Sequence, residues 1–353
     1  MSPFNFVFAS LISLVLIQFF TFIAVNVGLV DKPNARKNHN GEVPLVGGIS
    51  IFCSLAVCSI FFNVEFPNIS LFLMLMSFVV IIGVLDDLFD LSVLFRLVVQ
   101  FSVAVIFVFV GGYEISYLGT YFDNKIYLDS FAPLFTILAV VAAINMFNMI
   151  DGIDGLLGVM AANAFFYVGI LFYLNGNFNL AVVPLTLCCT LIPFLLLNVF
   201  GSHSKNSKKV FMGDGGSMFM GFAVVWLLVL ATQDAYQSPV ISPVVALWLI
   251  AVPLMDMVAI MFRRLRKGQS PFKSDREHLH HIFLRLGFSP RGALWVICLI
   301  SIIMSTFGVA MHNLGIADHW LICVYIALFG LYCFIIKRIW RIIIFLNRLT
   351  SKS

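Results

Sequence analysis

Polar side chains are scarce along this chain, and they gather in short clusters between long apolar runs. Eleven runs stand out, at roughly 4–25, 45–63, 68–85, 96–112, 131–148, 156–174, 179–200, 215–232, 242–262, 291–311 and 319–336. A helix of about 20 apolar residues crosses a bilayer core about 30 Å thick, so the pattern predicts an all-α integral membrane protein with about 11 transmembrane helices. The first run has no basic leader and no small-residue cleavage site, and it reads as a span. Residues 1–353 read as a single polytopic domain with polar loops at 86–96, 145–158, 202–216 and 263–291.

Composition agrees with this pattern. Of 353 residues, 61% are hydrophobic and 11% charged, with a mean hydropathy of +1.04, far outside the usage of soluble globular domains. With eleven spans the loops form two sets, and 20 of the 21 Lys and Arg fall in one set, leaving Lys125 alone in the other. The positive-inside rule then predicts an outer N-terminus and a cytoplasmic C-terminus. The net charge of +4 follows from that topology and from attraction to anionic lipid, so no nucleic-acid partner is expected. All seven Cys lie within apolar runs and read as small apolar residues rather than a disulfide framework or metal set.

The acids divide by side. Glu65, Glu114, Asp123, Asp129, Asp234 and Asp318 fall in outer loops, whereas Asp86, Asp87, Asp90, Asp151, Asp154, Asp214 and Asp256 collect at cytoplasmic ends of spans. A carboxylate near hydrocarbon costs on the order of 2.5–3.5 kcal/mol, so seven on one face call for a reason. In "DDLFD", the spacing from Asp86 and Asp87 to Asp90 turns two or three carboxylates to one side of a continuing helix. Such a group repels itself unless a cation joins it, and Mg²⁺ is the usual choice beside a phosphate substrate. A solvated helix end paired with Arg96 is the alternative.

In "NMFNMIDGIDGLLG", Asn145, Asn148, Asp151 and Asp154 recur every third residue, a spacing that keeps neighbouring members adjacent on a helix. Gly152 and Gly155 let the backbone bend or approach a ligand there. In "FMGDGGS", Asp214 and its glycines open a new span, setting a carboxylate among free N–H groups at a helix N-terminus. Asp214 as a simple N-cap is the plainer reading. The loop after the ninth run holds eight basic residues with His278, His280 and His281, which suits phosphate groups. Zinc is disfavoured there for want of a Cys partner. Asp256 reads as a partner for Arg263 or Arg264.

These three motifs, with "HLHH", "PLMDMVAIMFRRLRKG" and "VGLVDKPNARKNHNGEVPLVGGIS", resemble the polyprenyl-phosphate N-acetylhexosamine-1-phosphate transferase superfamily. The bacterial WecA-type branch, which uses undecaprenyl phosphate and UDP-N-acetylglucosamine, is the one the text resembles. The resemblance implies a multi-pass enzyme of the bacterial inner membrane, its active site facing the cytoplasm, that starts a cell-surface polysaccharide of the O-antigen or enterobacterial common antigen type. N-acetylglucosamine 1-phosphate passes to undecaprenyl phosphate, and UMP leaves. By resemblance, Asp214 and Asn148 hold Mg²⁺, with Mn²⁺ as a substitute. Asp86 and Asp87 sit at the lipid phosphate, one orienting or deprotonating it, with Asp90 beside them on the substrate side. Asp151 and Asp154 line the nucleotide pocket, Asp154 at the uracil and Phe211 as its stacking partner. His278, His280, His281 and Arg266 hold the diphosphate or sugar end, His278 with a catalytic role. A homodimer is compatible with the sequence. "HLHH", rather than three consecutive His, argues against the muramoyl-pentapeptide branch.

The same chemistry with another UDP-N-acetylhexosamine is the near alternative. An ion-coupled transporter also gathers intramembrane acids, but at midplane and often within inverted repeats, and the chain has no such repeat. A lipid-binding scaffold needs the basic loop and not the acids.

Overall fold

The structure, a computed structural model, describes residues 3–32, 41–201, 209–234, 238–270 and 278–350, with side chains described as far as 338. The expected loops 202–216 and 263–291 therefore lie partly outside the described residues, at 202–208 and 271–277. The chain divides into two compact units. One comprises Met1–Leu118 and Tyr127–Ile241, the other Gly119–Ile126 and Ser242–Ser353.

The first unit carries eight helices: α1 (Pro3–Val27), α2 (Gly47–Phe61), α3 (Ile69–Phe89), α4 (Val93–Phe109), α5 (Ala132–Ile150), α6 (Leu156–Leu174), α7 (Phe178–Phe200) and α8 (Gly213–Thr232). Every residue of α8 except Asp214 is buried, because α2, α3, α5 and α6 pack around it. Small residues permit that packing. A methyl group added at Gly48 would collide with the backbone of Gly216, and one added at Gly83 with that of Gly215, so α2 and α3 approach α8 backbone to backbone. At the far end, Trp226 packs edge-on against Phe72 and Phe107. Nearby, the Gln233 side chain accepts hydrogen bonds from the N–H groups of Ser116 and Tyr117. The helix that carries Asp214 in its first turn is thus fixed along its length.

The second unit carries α9 (Pro243–Leu249), α10 (Ala251–Arg266), α11 (Leu279–Arg285), α12 (Pro290–Asn313) and α13 (Asp318–Thr350). α9 and α10 meet at a bend of 84°. Pro253 explains the break: in a continuous helix its ring would strike the carbonyl of Leu249, so the chain leaves helical geometry at Ile250. α12 packs on α9, where Gly308 receives the Trp248 side chain. The Asp318 carboxylate accepts from the Thr120 N–H at 2.8 Å.

Among the described residues, eight helices are long and apolar enough to cross a membrane, or nine if the bent pair counts as one span. The protein is an integral membrane protein, nearly all helical. The other two apolar runs form α2 and α4, which are shorter than a full span. Two small two-stranded sheets were not expected: β1 (Val30–Asp31) with β2 (Val43–Pro44), and β3 (Tyr117–Tyr121) with β4 (Asn124–Tyr127). They are too short to register as alternation in the sequence.

Candidate functional site

α3 ends at Asp90, whose backbone is left-handed (φ 51°), and Ser92 opens α4 by accepting the Phe95 N–H. The tight turn brings Arg96 back over the end of α3. Its Nη1 donates to Asp86 Oδ2 at 2.6 Å, while Asp86 Oδ1 accepts the Leu91 N–H at 2.9 Å. The same guanidinium nitrogen stands 3.6 Å from Asp214 Oδ2. Asp86 is 4% exposed, so its charge is matched by this arginine rather than by water.

Three elements converge at the start of α8. The Asp214 N–H donates to both Asp87 oxygens, at 3.0 and 2.9 Å. Asn148 Nδ2, from α5, donates to Asp214 Oδ1 at 2.8 Å and to Ser217 Oγ at 2.9 Å. The segment before Asp214 is pinned from the other side: the Phe211 N–H donates to the Pro44 carbonyl, and the Phe211 and Met212 carbonyls accept from Gly47 and Gly48. Asp86, Asp87, Asn148 and Asp214 are therefore brought together, with the Arg96 guanidinium against Asp86 and Asp214. The donors are all oxygen or amide groups, and among the described residues no group of three or more His, Cys, Asp and Glu stands ready to hold a metal.

A second cluster lies in the same unit. Lys209 Nζ donates to Asp154 Oδ2 at 2.6 Å and sits 5.2 Å from the centroid of the Phe211 ring. Asn198, buried at the end of α7, accepts the Gly155 N–H at 2.5 Å and donates to the Val210 carbonyl at 2.8 Å. It ties the Asp154 loop to the segment leading to Phe211, and Gly155 supplies the left-handed φ of 80° that the loop needs. Asn198, Lys209 and Ser217 were not singled out from sequence. A lone Asn closing an apolar run was the available signal for the first.

Two expectations are corrected here. The Asn145–Asn148–Asp151–Asp154 stripe does not persist, because α5 ends at Ile150. Asn145 donates instead to Gln100 Oε1 at 2.6 Å, a partly buried polar pair between α5 and α4. Asp90 and Asp151 lie exposed at the ends of α3 and α5, so "DDLFD" does not present three carboxylates on one helical face.

In the second unit, Asp256, expected beside Arg263 or Arg264, receives three hydrogen bonds from other groups. They come from His278 Nδ1 at 2.8 Å, the Leu279 N–H at 2.9 Å and the Tyr332 hydroxyl at 2.7 Å. His280 is 2% exposed, and neither ring nitrogen has a hydrogen-bond partner among the described residues. Its ring stacks 5.6 Å from that of His278 and lies 4.2 Å from that of His281. Burial first, and then the neighbouring His281 and His278, push its pKa down to about 3. The Arg266 guanidinium lies 4.3 Å from the Phe262 ring.

The helical membrane architecture defines a membrane-embedded protein, with Asp86, Asp87, Asn148 and Asp214 gathered beside Arg96 at the start of α8. Residues 68–232 match the glycosyl transferase family 4 profile. Related proteins described as undecaprenyl-phosphate alpha-N-acetylglucosaminyl 1-phosphate transferases occur in Yersinia pestis, at 42% identity over 92% of this chain and 89% of that protein. One from Escherichia coli K12 is 42% identical over 94% of this chain and 89% of its own length. One from Pasteurella multocida is 39% identical over 94% and 92%. The chain belongs to glycosyl transferase family 4.

Proposed function

We propose that this protein transfers N-acetylglucosamine 1-phosphate from UDP-N-acetylglucosamine to undecaprenyl phosphate, releasing UMP. The reading is supported by identity of about 40% to the named transferases along nearly the whole chain. The single structural observation that carries it is the junction of Asp87, Asp214 and Asn148 at the N-terminus of α8. An oxygen of the lipid phosphate attacks the β-phosphorus of the nucleotide sugar. One P–O bond forms, the phosphoanhydride bond breaks, and the electron pair leaves with UMP. A phosphate dianion is nucleophilic without deprotonation, so the task of the protein is to align two anions and offset their repulsion.

The residues at the α8 junction fit Mg²⁺. Asp214 and Asn148 are hard oxygen donors, and Mg²⁺ takes one or two carboxylates while keeping water and substrate phosphate for its other positions. The Asn148 amide presents its oxygen to a cation by a half-turn of the terminal group, whose orientation is assigned from the hydrogen-bond network. When bound, the ion neutralises charge on the diphosphate. Around it, Asp87 holds the start of α8 in place, and Arg96 provides fixed positive charge beside Asp86 and Asp214. Asp154, Lys209 and Phe211 serve the uridine, with Phe211 as a stacking face. By the family resemblance and by their chemistry, His278, His280, His281 and Arg266 serve the diphosphate or sugar. The lysine and arginine distribution supports eleven spans with the α8 junction on the cytoplasmic face of the bacterial inner membrane.

Purified protein supplied with undecaprenyl phosphate tests the reading by UMP release. Release that requires a divalent ion, and that favours UDP-N-acetylglucosamine over UDP-glucose and the UDP-N-acetylmuramoyl-pentapeptide, is the expected result. No UMP with any of the three donors would overturn the reading.

A further inference from the structure

The hydrogen bonds around Asp256 carry more than a fold contact. This carboxylate, 2% exposed, collects three donors from three directions: His278 Nδ1, the Leu279 N–H and, across from α13, the Tyr332 hydroxyl. Buried carboxylates are retained when hydrogen-bond donors meet them, and here three do. The Leu279 N–H opens α11 and has no partner within its own helix, so Asp256 caps that helix. The same side chain reaches the ring of the residue just before it. One group thus fixes both the start of α11 and the imidazole that precedes it.

The chemistry then determines a tautomer. An ionised carboxylate only accepts hydrogen bonds, so the imidazole nitrogen 2.8 Å from Asp256 Oδ2 must be the one that carries hydrogen. In the neutral ring the lone pair falls on Nε2. The His278 side chain is 8% exposed, and the parallel ring of His280 restricts its rotation.

We infer that Asp256, supported by Tyr332, is the positioning residue that keeps the His278 hydrogen on Nδ1 and so leaves the lone pair on Nε2 as the group His278 offers a substrate. The inference rests on the proposed reading of His278 as a substrate-contacting residue. Asp256 itself acts through the histidine. Such carboxylate–imidazole pairs set ring orientation elsewhere, at metal sites and in catalytic triads, by the same means.

The test uses full-length protein in detergent, labelled with ¹⁵N-histidine and assayed for UMP release, with His278→Gln to assign the resonance. Wild-type protein should show the Nδ1–H tautomer at His278. Asp256→Asn should mix the tautomers and lower kcat at least tenfold while changing KM for UDP-N-acetylglucosamine less than threefold. Tyr332→Phe should act in the same direction more weakly. The double variant Asp256→Asn/His278→Ala should be no slower than His278→Ala alone, since both changes remove one device. If His278→Ala retains turnover, the reading of His278 falls, and the wild-type tautomer still judges the positioning on its own. If His278→Ala is inactive while Asp256→Asn keeps its turnover, the positioning falls and the reading of His278 stands. Lost turnover in Asp256→Asn with the Nδ1–H tautomer unchanged, or a double variant slower than His278→Ala, would reduce Asp256 to a fold contact and overturn the inference.

Discussion

The backbone N–H of Asp214 donates to both carboxylate oxygens of Asp87, at 3.0 and 2.9 Å. A side chain from the end of α3 therefore caps the first turn of α8, and the two acids are held together through one main-chain group. The arrangement separates a structural task from an electrostatic one. Asp87→Ala removes the cap, which costs about 0.5–2 kcal/mol, and should lower the melting temperature as well as turnover. Asp87→Asn keeps an acceptor and loses the charge. It should melt close to wild type and yet lose on the order of 10²-fold in turnover. Wild-type turnover in Asp87→Asn would leave Asp87 as a cap alone.

Asn198 bridges the Asp154 loop and the Val210–Phe211 segment with two hydrogen bonds. Asn198→Ala strands the Gly155 N–H and the Val210 carbonyl, a penalty of about 1–3 kcal/mol. On the proposed nucleotide side, that loosening should raise KM for UDP-N-acetylglucosamine by about tenfold, the equivalent of 1.4 kcal/mol, with a smaller effect on KM for undecaprenyl phosphate. An unchanged nucleotide KM would detach this cluster from uridine.

His280 gives the fold a pH dependence of defined sign. Its pKa is about 3 in the folded protein against an ordinary imidazole value of 6.5, so the unfolded chain binds the extra proton first. The stability it contributes is complete above pH 6.5 and declines as pH falls from there toward 3. Thermal melting of wild-type protein should thus fall between pH 7.5 and 5 more steeply than that of His280→Gln. Parallel slopes for the two proteins would show His280 to be charged or exposed.

Orientation can be read with an impermeant thiol reagent. A cysteine placed at Asn124, exposed in β4, should be labelled on intact cells, and one at the exposed Gln269 only after permeabilisation. The reverse pattern would invert the topology drawn from the basic residues.

The helices were legible because each apolar run is long, and no competing period interrupts it. The break between α9 and α10 was not, since Pro253 lies inside an otherwise continuous apolar stretch and gives no change of hydropathy. At the site, the motifs located Asp86, Asp87, Asn148 and Asp214, whose backbones close the ends of helices. The three-residue stripe failed where the helix stopped: spacing describes a face only while the helix lasts, and Asn145 turned to Gln100 while Asp151 and Asp154 passed into a loop. The partners of Asp256 were out of reach for a different reason. His278 and Tyr332 lie 22 and 76 positions away, and tertiary packing alone brings them to that carboxylate.

Phosphosugar transfer and plain sugar transfer part ways in where the β-phosphorus ends up. Wild-type protein and Asp214→Asn are incubated with undecaprenyl phosphate, Mg²⁺ and UDP-N-acetylglucosamine carrying ³²P at the β-phosphorus. Wild-type protein should move the label into the organic phase as lipid diphosphate, with unlabelled UMP left in water, and folded Asp214→Asn should move almost none. Label retained in water as UDP while the sugar moves to lipid, or full transfer by Asp214→Asn, would contradict phosphosugar transfer through Asp214.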